Sequence, residues 1–303
     1  MDGKISNLMQ IASLRRYTLT EGRASGLDVI DCDNGKMRFL INVSRACDIM
    51  QMYHAGENLS FISKNGFDKR DLPFARRFEG GMLYTCGLDS VGGRTGFEIH
   101  GNLHSIPAEI VRAEVTETEI VVEALIKDTD HVKRNLVLRR KITSKIGSSS
   151  VRVEDTLQNC GFEAMEYALL YHVNLGYPML DEGAKVVADV TSWHARTAHA
   201  MEEAASRYEM GAPVVGAEES CYYYKLAKPE ISHENAKNGK RFTLTYSKDT
   251  LPAFVHWRNV AAGLYVMGLE PSTTELSDGF AYSTIEAGER ISFFVEMTVS
   301  AMN

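Results

Sequence analysis

Seven prolines in 303 residues, scattered and with no Gly/Ser tract between them, leave no segment that reads as a linker. No repeat at a solenoid period occurs either. The expectation is one domain over residues 1–303, because all-β sandwiches run to roughly 250 residues or more as a single unit. No apolar stretch approaches the roughly 20 residues of a membrane span, and the opening MDGKISNLMQIASLRR is broken by charge and lacks a secretory h-region. Positive charge is short as well. The 33 Lys+Arg against 40 Asp+Glu give a formal net charge of −7, which argues against nucleic acid or an anionic membrane as main partner. Five cysteines (Cys32, Cys47, Cys86, Cys160, Cys221) without a CxxC pair read as reduced thiols of a cytoplasmic protein, not a disulfide frame. GxSxG, P-loop, GxGxxG and HExxH motifs are all missing, so nucleotide and dinucleotide chemistry has no support.

What is present is period two. With 44% apolar residues the chain can bury a large core. Ile291, Phe293, Val295, Met297 and Val299 alternate with Ser292, Glu296, Thr298 and Ser300, broken only by Phe294, as in a half-buried strand. Leu27–Cys32 and Lys36–Val43 flank Asp33-Asn34-Gly35, a hairpin signal because Asn-Gly accepts positive φ. Further strand-like runs lie at 110–115, 119–126, 136–142, 151–158, 241–246, 254–258 and 264–270. Helical pattern is scarce: Ser6 is placed to cap a short helix carrying Leu8, Ile11 and Leu14, and 198–208 is rich in Ala, Glu and Met. Many strands and few helices imply an all-β antiparallel sandwich or barrel, not a βαβ fold.

Three segments carry candidate chemistry. In Glu166 to Pro178, an extended chain puts Ala168, Leu170, His172 and Asn174 on one face. A histidine there suits proton transfer, since its ordinary pKa of about 6.5 lies beside working pH; taken alone, a core histidine bonded to a backbone carbonyl is the commoner arrangement. In Gly263 to Pro271, parity aligns Leu264, Val266, Gly268 and Glu270. Burial would raise that carboxylate towards the general-base range, and Gly268 leaves room for a ligand beside it. A strand-end glutamate in solvent is the plainer alternative. The third segment, Gly80 to Gly93 leading to His100-Gly101, is glycine-rich through close backbone packing or, more commonly, tight turns. His100 and His104 are four apart, about 13 Å on a strand and too far to share an ion. A turn at Gly101-Asn102 would leave room for a metal, but His104 as a partly exposed loop histidine is the commoner arrangement, and no metal is expected. Arg45 and Asp48 follow the first hairpin, and so close a pair is usually a structural ion pair.

Together these segments resemble the aldose 1-epimerase (galactose mutarotase-like) superfamily, above all its DUF4432 branch. Gly80–Gly93 resembles the branch's GGLLYTCGLDxVG element and His100-Gly101 to Pro107-Ala108 its LHG…PA. Val153 to Gly161, running on to His172, is similar to VxNxG…H; Gly268-Leu-Glu270-Pro271 resembles the late catalytic glutamate, and Ala287-Gly288-Glu289 the closing PGE turn. The resemblance implies a large antiparallel β-sandwich (the supersandwich) with a few short helices, binding a sugar on its concave face. It implies His172 as the acid that protonates the ring oxygen and Glu270 as the base at the anomeric hydroxyl. His100 would hold a hydroxyl or the ring oxygen, and Asn174 would share the site wall. The chemistry needs no cofactor; the partner is a small sugar, and the chain a monomer or homodimer. The family's arginine-bearing GRxANRI segment is replaced by Cys86-Gly87-Leu88-Asp89, which nominates Asp89. Arg45 or Arg94 then supplies the arginine, with Arg45 and its neighbour Asp48 preferred. Glu219, before Cys221-Tyr222-Tyr223-Tyr224, best matches the substrate-gripping aspartate. These departures fall on substrate contacts, so galactose or glucose specificity is not carried over.

Two rivals remain at this level. A non-catalytic carbohydrate-binding protein or sensor on the same fold would need neither acid nor base. A lyase or glycoside hydrolase would want two carboxylates roughly 5–9.5 Å apart, and only Glu270 can be nominated.

Overall fold

The period-two segments fold as antiparallel sheet in a computed structural model that describes residues 3–276 and 279–302. Glu119–Thr129, Asn135–Lys145, Ser150–Asn159 and Arg290–Ala301 bury side chains largely in alternation and form four consecutive strands of an eight-stranded sheet. In the last of these, Phe293, Val295, Met297 and Val299 point into the core. Phe294, which interrupts the alternation, faces the other way with the Arg152 guanidinium 3.9 Å from its ring centroid. Asn-Gly closes the hairpin between Asp28–Asp33 and Met37–Asn42: Gly35 has φ +87°, and the Asn34 amide oxygen accepts from the N–H groups of Lys36 and Met37.

A seven-stranded sheet stacks on this one. Val190–Ala195, Ser220–Leu226, Ala253–Ala261, Leu264–Ser272, Met165–Leu175 and Ser283–Ile285 follow in spatial order, and Leu83–Leu88 also pairs with Met165–Leu175. Ser13–Thr18 through Glu57–Asn58 make a further five-stranded sheet. One apolar cluster, including Ile41, Ile126, Leu138, Val153, Leu169, Val173 and Leu269, fills the space between the sheets. A second cluster, with Tyr84, Cys86, Ala168, Leu170, Cys221 and Val266, covers the opposite face of the seven-stranded sheet. Met165–Leu175 is therefore buried on both sides except at Glu166, which is why it reads as a continuous apolar run. The protein is an all-β sandwich.

Helix is limited to short turns. Asn7, not Ser6, caps the first, which covers only Leu8–Gln10, and Leu14 belongs to the strand Ser13–Thr18. The 198–208 stretch splits into Ala198–Glu202, capped by Thr197, and Ala204–Ser206. Among the described residues no helix is long and apolar enough to cross a membrane.

Candidate active site

Strand register assembles the site on the outer face of the seven-stranded sheet. One row across it reads Tyr223, Val255, Glu270. The pairings Leu170↔Ser272 and Val173↔Leu269 set His172 beside Glu270 in that row, and Tyr84 follows as the partner of His172. The next row on the same face reads Cys221, Trp257, Gly268, Asn174. Gly268 has no side chain, and both neighbours lean over it. A Cβ there would lie 2.2 Å from Glu270 Oε1 and 3.2 Å from His172 Cε1. Over that bare position His172 Nε2 approaches Glu270 Oε1 to 3.3 Å.

A cleft of about 350 Å³ opens above the pair, the lower end of the usual range for ligand pockets. The short helix Phe74–Arg77 and the residue after it supply Phe74 and Phe78 to its wall. Trp257 and Phe78 stand with ring centroids 5.4 and 5.7 Å from that of His172; Leu264, Leu276 and Ile99 add further apolar lining. Aromatic faces beside a few convergent polar groups suit the C–H faces and hydroxyls of a small polyol.

Burial governs the charges. It pushes the Glu270 carboxyl well above its ordinary value, the Glu219 charge adding to the effect and Arg196 opposing it. It drives the His172 imidazole well below its ordinary value, with His100 adding to this. The pair is at ion-pair distance, yet Glu270 Oε1 and His172 Nδ1 are buried without a hydrogen-bond partner among the described residues. Both shifts favour the neutral pair, with the proton on the carboxyl, because two charges this buried and this poorly aligned would be poorly compensated.

His100 sits 5.5 Å from His172, ring to ring, and takes φ +67°, a left-handed conformation that histidine adopts more readily than most residues. Its N–H donates to Gly92 O at 2.9 Å, and its Nδ1 accepts from the Gly92 N–H at 3.2 Å. Burial, then Arg196, holds its pKa down to about 4. The neutral ring must therefore carry its proton on Nε2, making it a donor. At the rim, Glu219 accepts from Trp257 Nε1 at 2.8 Å, and Arg196 Nη1 lies 3.8 Å from its other oxygen.

The structure brings His172, Glu270, His100 and Glu219 to one cleft and corrects the remaining expectations. Arg45 is buried with its guanidinium bonded to the backbone carbonyls of Asp68, Lys69 and Arg70; it pins a loop and does not line the cleft. Asp48 does not pair with Arg45. It is buried against Arg140 and His104, at 2.6 Å from each. His104 is not a loop-surface residue but is 2% exposed, with its second nitrogen 2.9 Å from Glu79. Asp89 is turned towards the Asn102 N–H, outside the cleft lining. Asn174 shares the face but lies fully buried beneath the cleft. Arg94 packs over Phe280 and Tyr282 instead of entering. The cleft's arginine is Arg196, just past a strand end, where no motif marked it. Trp257 was within reach, since its parity with Val255 in 254–258 puts both on the face of Glu270. No group of three or more His, Cys, Asp or Glu able to hold a metal ion occurs among the described residues.

Comparison with known proteins matches residues 24–292 to the family described as "Domain of unknown function (DUF4432)". No curated protein matches the chain. Among solved structures, the chain resembles a "putative aldose 1-epimerase" from Klebsiella pneumoniae, with TM-score 0.85 and 19% identity over 97% of this chain and 86% of that one. A galactose mutarotase-like protein from Clostridium acetobutylicum gives TM-score 0.73 and 12% identity over 97% and 100%. Galactose 1-epimerase from Lactobacillus acidophilus gives 0.67 and 12% over 96% and 100%. At these identities the likeness is one of fold.

Proposed function

The chain belongs to the DUF4432 family, and from that premise we propose that it is an aldose 1-epimerase-like isomerase, interconverting the anomers of a free sugar or sugar derivative. The observation that carries this reading is the meeting of His172 and Glu270 at 3.3 Å over the bare Gly268, on the floor of a cleft with aromatic walls. Anomer exchange requires one proton delivered to the ring oxygen and one removed from the anomeric hydroxyl, atoms that flank a single carbon. An acid and a base side by side match that demand.

The pair holds one proton between two sites. Passing it from Glu270 to His172 charges both without changing the net charge of the cleft, and leaves an imidazolium beside a carboxylate. His172 then protonates the ring oxygen while Glu270 takes the anomeric proton. The ring opens, the C1–C2 bond rotates, and reclosure returns the protons by the reverse route. His100, as an Nε2–H donor, and Arg196 with Glu219 at the rim are placed to hold the remaining hydroxyls.

The test is saturation-transfer NMR on a panel of reducing sugars, following exchange between the α and β anomers with and without the protein. Exchange accelerated for one sugar establishes the activity and names the substrate. Binding across the panel without acceleration overturns the enzyme reading in favour of a carbohydrate sensor on the same fold.

A further inference from the structure

A histidine that carries a proton on one nitrogen must have its other nitrogen defined, and the groups in the cleft do not define it for His172. Its Nε2 faces Glu270 at 3.3 Å, while Nδ1 is buried without a hydrogen-bond partner among the described residues. Asn174 stands two positions along the same strand and on the same face. Its side chain is fully buried and outside the cleft lining, so it is poorly placed to touch a ligand. Its amide orientation is nonetheless fixed, because Nδ2 donates to the backbone carbonyl of His172 at 3.0 Å. That bond leaves the amide oxygen as the free end, and this Oδ1 is also buried without a partner among the described residues. An unpaired acceptor and an unpaired ring nitrogen, buried beside each other, are each other's natural partner.

We propose that Asn174 is a positioning residue that holds His172 in the tautomer its role requires, with Asn174 Oδ1 accepting the Nδ1–H so that the Nε2 lone pair faces Glu270. The consequence is chemical. With the proton on Nδ1, neutral His172 can receive the Glu270 proton at Nε2 and become the imidazolium that protonates a ring oxygen. With the proton on Nε2, the ring would face the Glu270 carboxyl with a hydrogen already in place, and no transfer between them could occur. The same contact favours the protonated ring, since the Asn174 oxygen raises the proton affinity of His172 against the burial that lowers it. The pattern is general: the bond made by one ring nitrogen decides what the other carries.

The inference rests on His172 being the proton carrier, yet its test needs no sugar. Two-bond ¹H–¹⁵N correlation spectra of ¹⁵N-histidine-labelled protein at neutral pH report which nitrogen of each ring is protonated, and His172→Ala assigns the signal. The expected result is a proton-bearing Nδ1 and a bare Nε2 in the wild type, changing to the Nε2–H form in Asn174→Ala. A wild-type Nε2–H ring, or a tautomer unmoved by Asn174→Ala, overturns the proposal. Should Asn174→Ala fail to fold, Asn174→Asp carries the test. A carboxylate at that position keeps the Nδ1–H form and moves the His172 titration to higher pH, and a titration that stays in place overturns the proposal. With an active sugar in hand, Asn174→Ala lowers kcat roughly tenfold or more with KM little changed, the signature of positioning and not of substrate contact. Failure of the sugar panel with the tautomer as expected would count against the enzyme reading alone.

Discussion

Gly268 decides how His172 and Glu270 meet. An alanine methyl there would fall 2.2 Å from the Glu270 carboxylate oxygen, and a side chain's free end yields more readily than backbone. Gly268→Ala should therefore swing the carboxylate aside and leave the strand in place. Anomer exchange should drop by about a hundredfold, the scale of an ångström's misplacement in a reacting group, with little change in urea midpoint. Retained activity in that variant would mean the carboxylate does not work from this position. His172→Ala and Glu270→Gln should each lose roughly 10²–10⁴-fold in rate with the fold intact by circular dichroism, and full activity in both would remove them from the chemistry. The pair also sets a pH profile. In the proposed reaction the active form holds one proton. A second proton is taken up only well below the ordinary histidine value, because burial depresses His172. The shared proton is lost only well above the ordinary glutamate value, because burial raises Glu270. The rate should thus form a plateau near neutrality that falls on both sides, its limbs belonging to the pair and not to either residue. A single sigmoid would mean that only one of the two groups titrates in the reaction.

The strand Met165–Leu175 works on two faces at once, offering His172 to the cleft and Tyr171 to the interior. Tyr171 donates to Asp155 at 2.8 Å. Asp155 and Asp48 both grip the fully buried Arg140, at 2.7 and 2.6 Å. Thr85, on the neighbouring strand Leu83–Leu88, donates to Asp48 from its N–H at 2.8 Å. Arg140 thus ties the eight-stranded sheet to the strands that floor the site. Replacing it by Met takes the guanidinium from both carboxylates, leaving Asp155 with the Tyr171 hydroxyl and Asp48 with His104 and Thr85. Breaking a buried pair on one side costs about 3–5 kcal/mol. Arg140→Met should show that deficit in urea denaturation at neutral pH, and a loss below about 1 kcal/mol would assign the tie to packing instead. At this scale the sequence was informative about strands and faces and blind to partners. Alternation located the eight-stranded sheet, and the parities of His172, Glu270 and Gly268 were legible because each depends on neighbours two residues away. The roles of Arg45 and Asp48 were not, since nearness in sequence says nothing of a side chain that bonds to carbonyls of another loop or to a strand some 90 positions on. Arg196 was invisible for a related reason: a residue past a strand's end follows no period.

Across the whole sandwich, buried histidines make stability depend on pH from two directions. His233, in Glu230–Asn235 of the eight-stranded sheet, and His256, in Ala253–Ala261 of the seven-stranded one, are both fully buried. Burial holds His233 down to about 4, against the opposing bond to the Met179 carbonyl. Burial, then Arg258 and His233 itself, holds His256 down to about 3. Both are neutral in the folded protein and titrate near the ordinary value of about 6.5 once unfolded. Their neutral form therefore supports folding above that pH, and the support is lost as the pH falls from about 6.5 towards the folded values. His104 has the reverse sign. Burial pulls it down, but Glu79 and Asp48 lift it above its ordinary value overall, so its contribution is complete below about pH 6.5 and is lost as pH rises through the folded value. Stability should accordingly fall on acidification with a slope approaching roughly 1.4 kcal/mol per pH unit for each neutral buried histidine. His256→Phe keeps an aromatic ring between the sheets and forfeits the 2.9 Å contact with the Tyr224 hydroxyl, at about 1 kcal/mol near neutrality. It should remove one proton's worth of slope between pH 6 and 5, so that wild type and variant converge on acidification when unfolding free energies from urea titrations are plotted against pH. Parallel curves would show that His256 is already neutral in the unfolded chain or charged in the folded one, and that the acid sensitivity of this sandwich arises elsewhere.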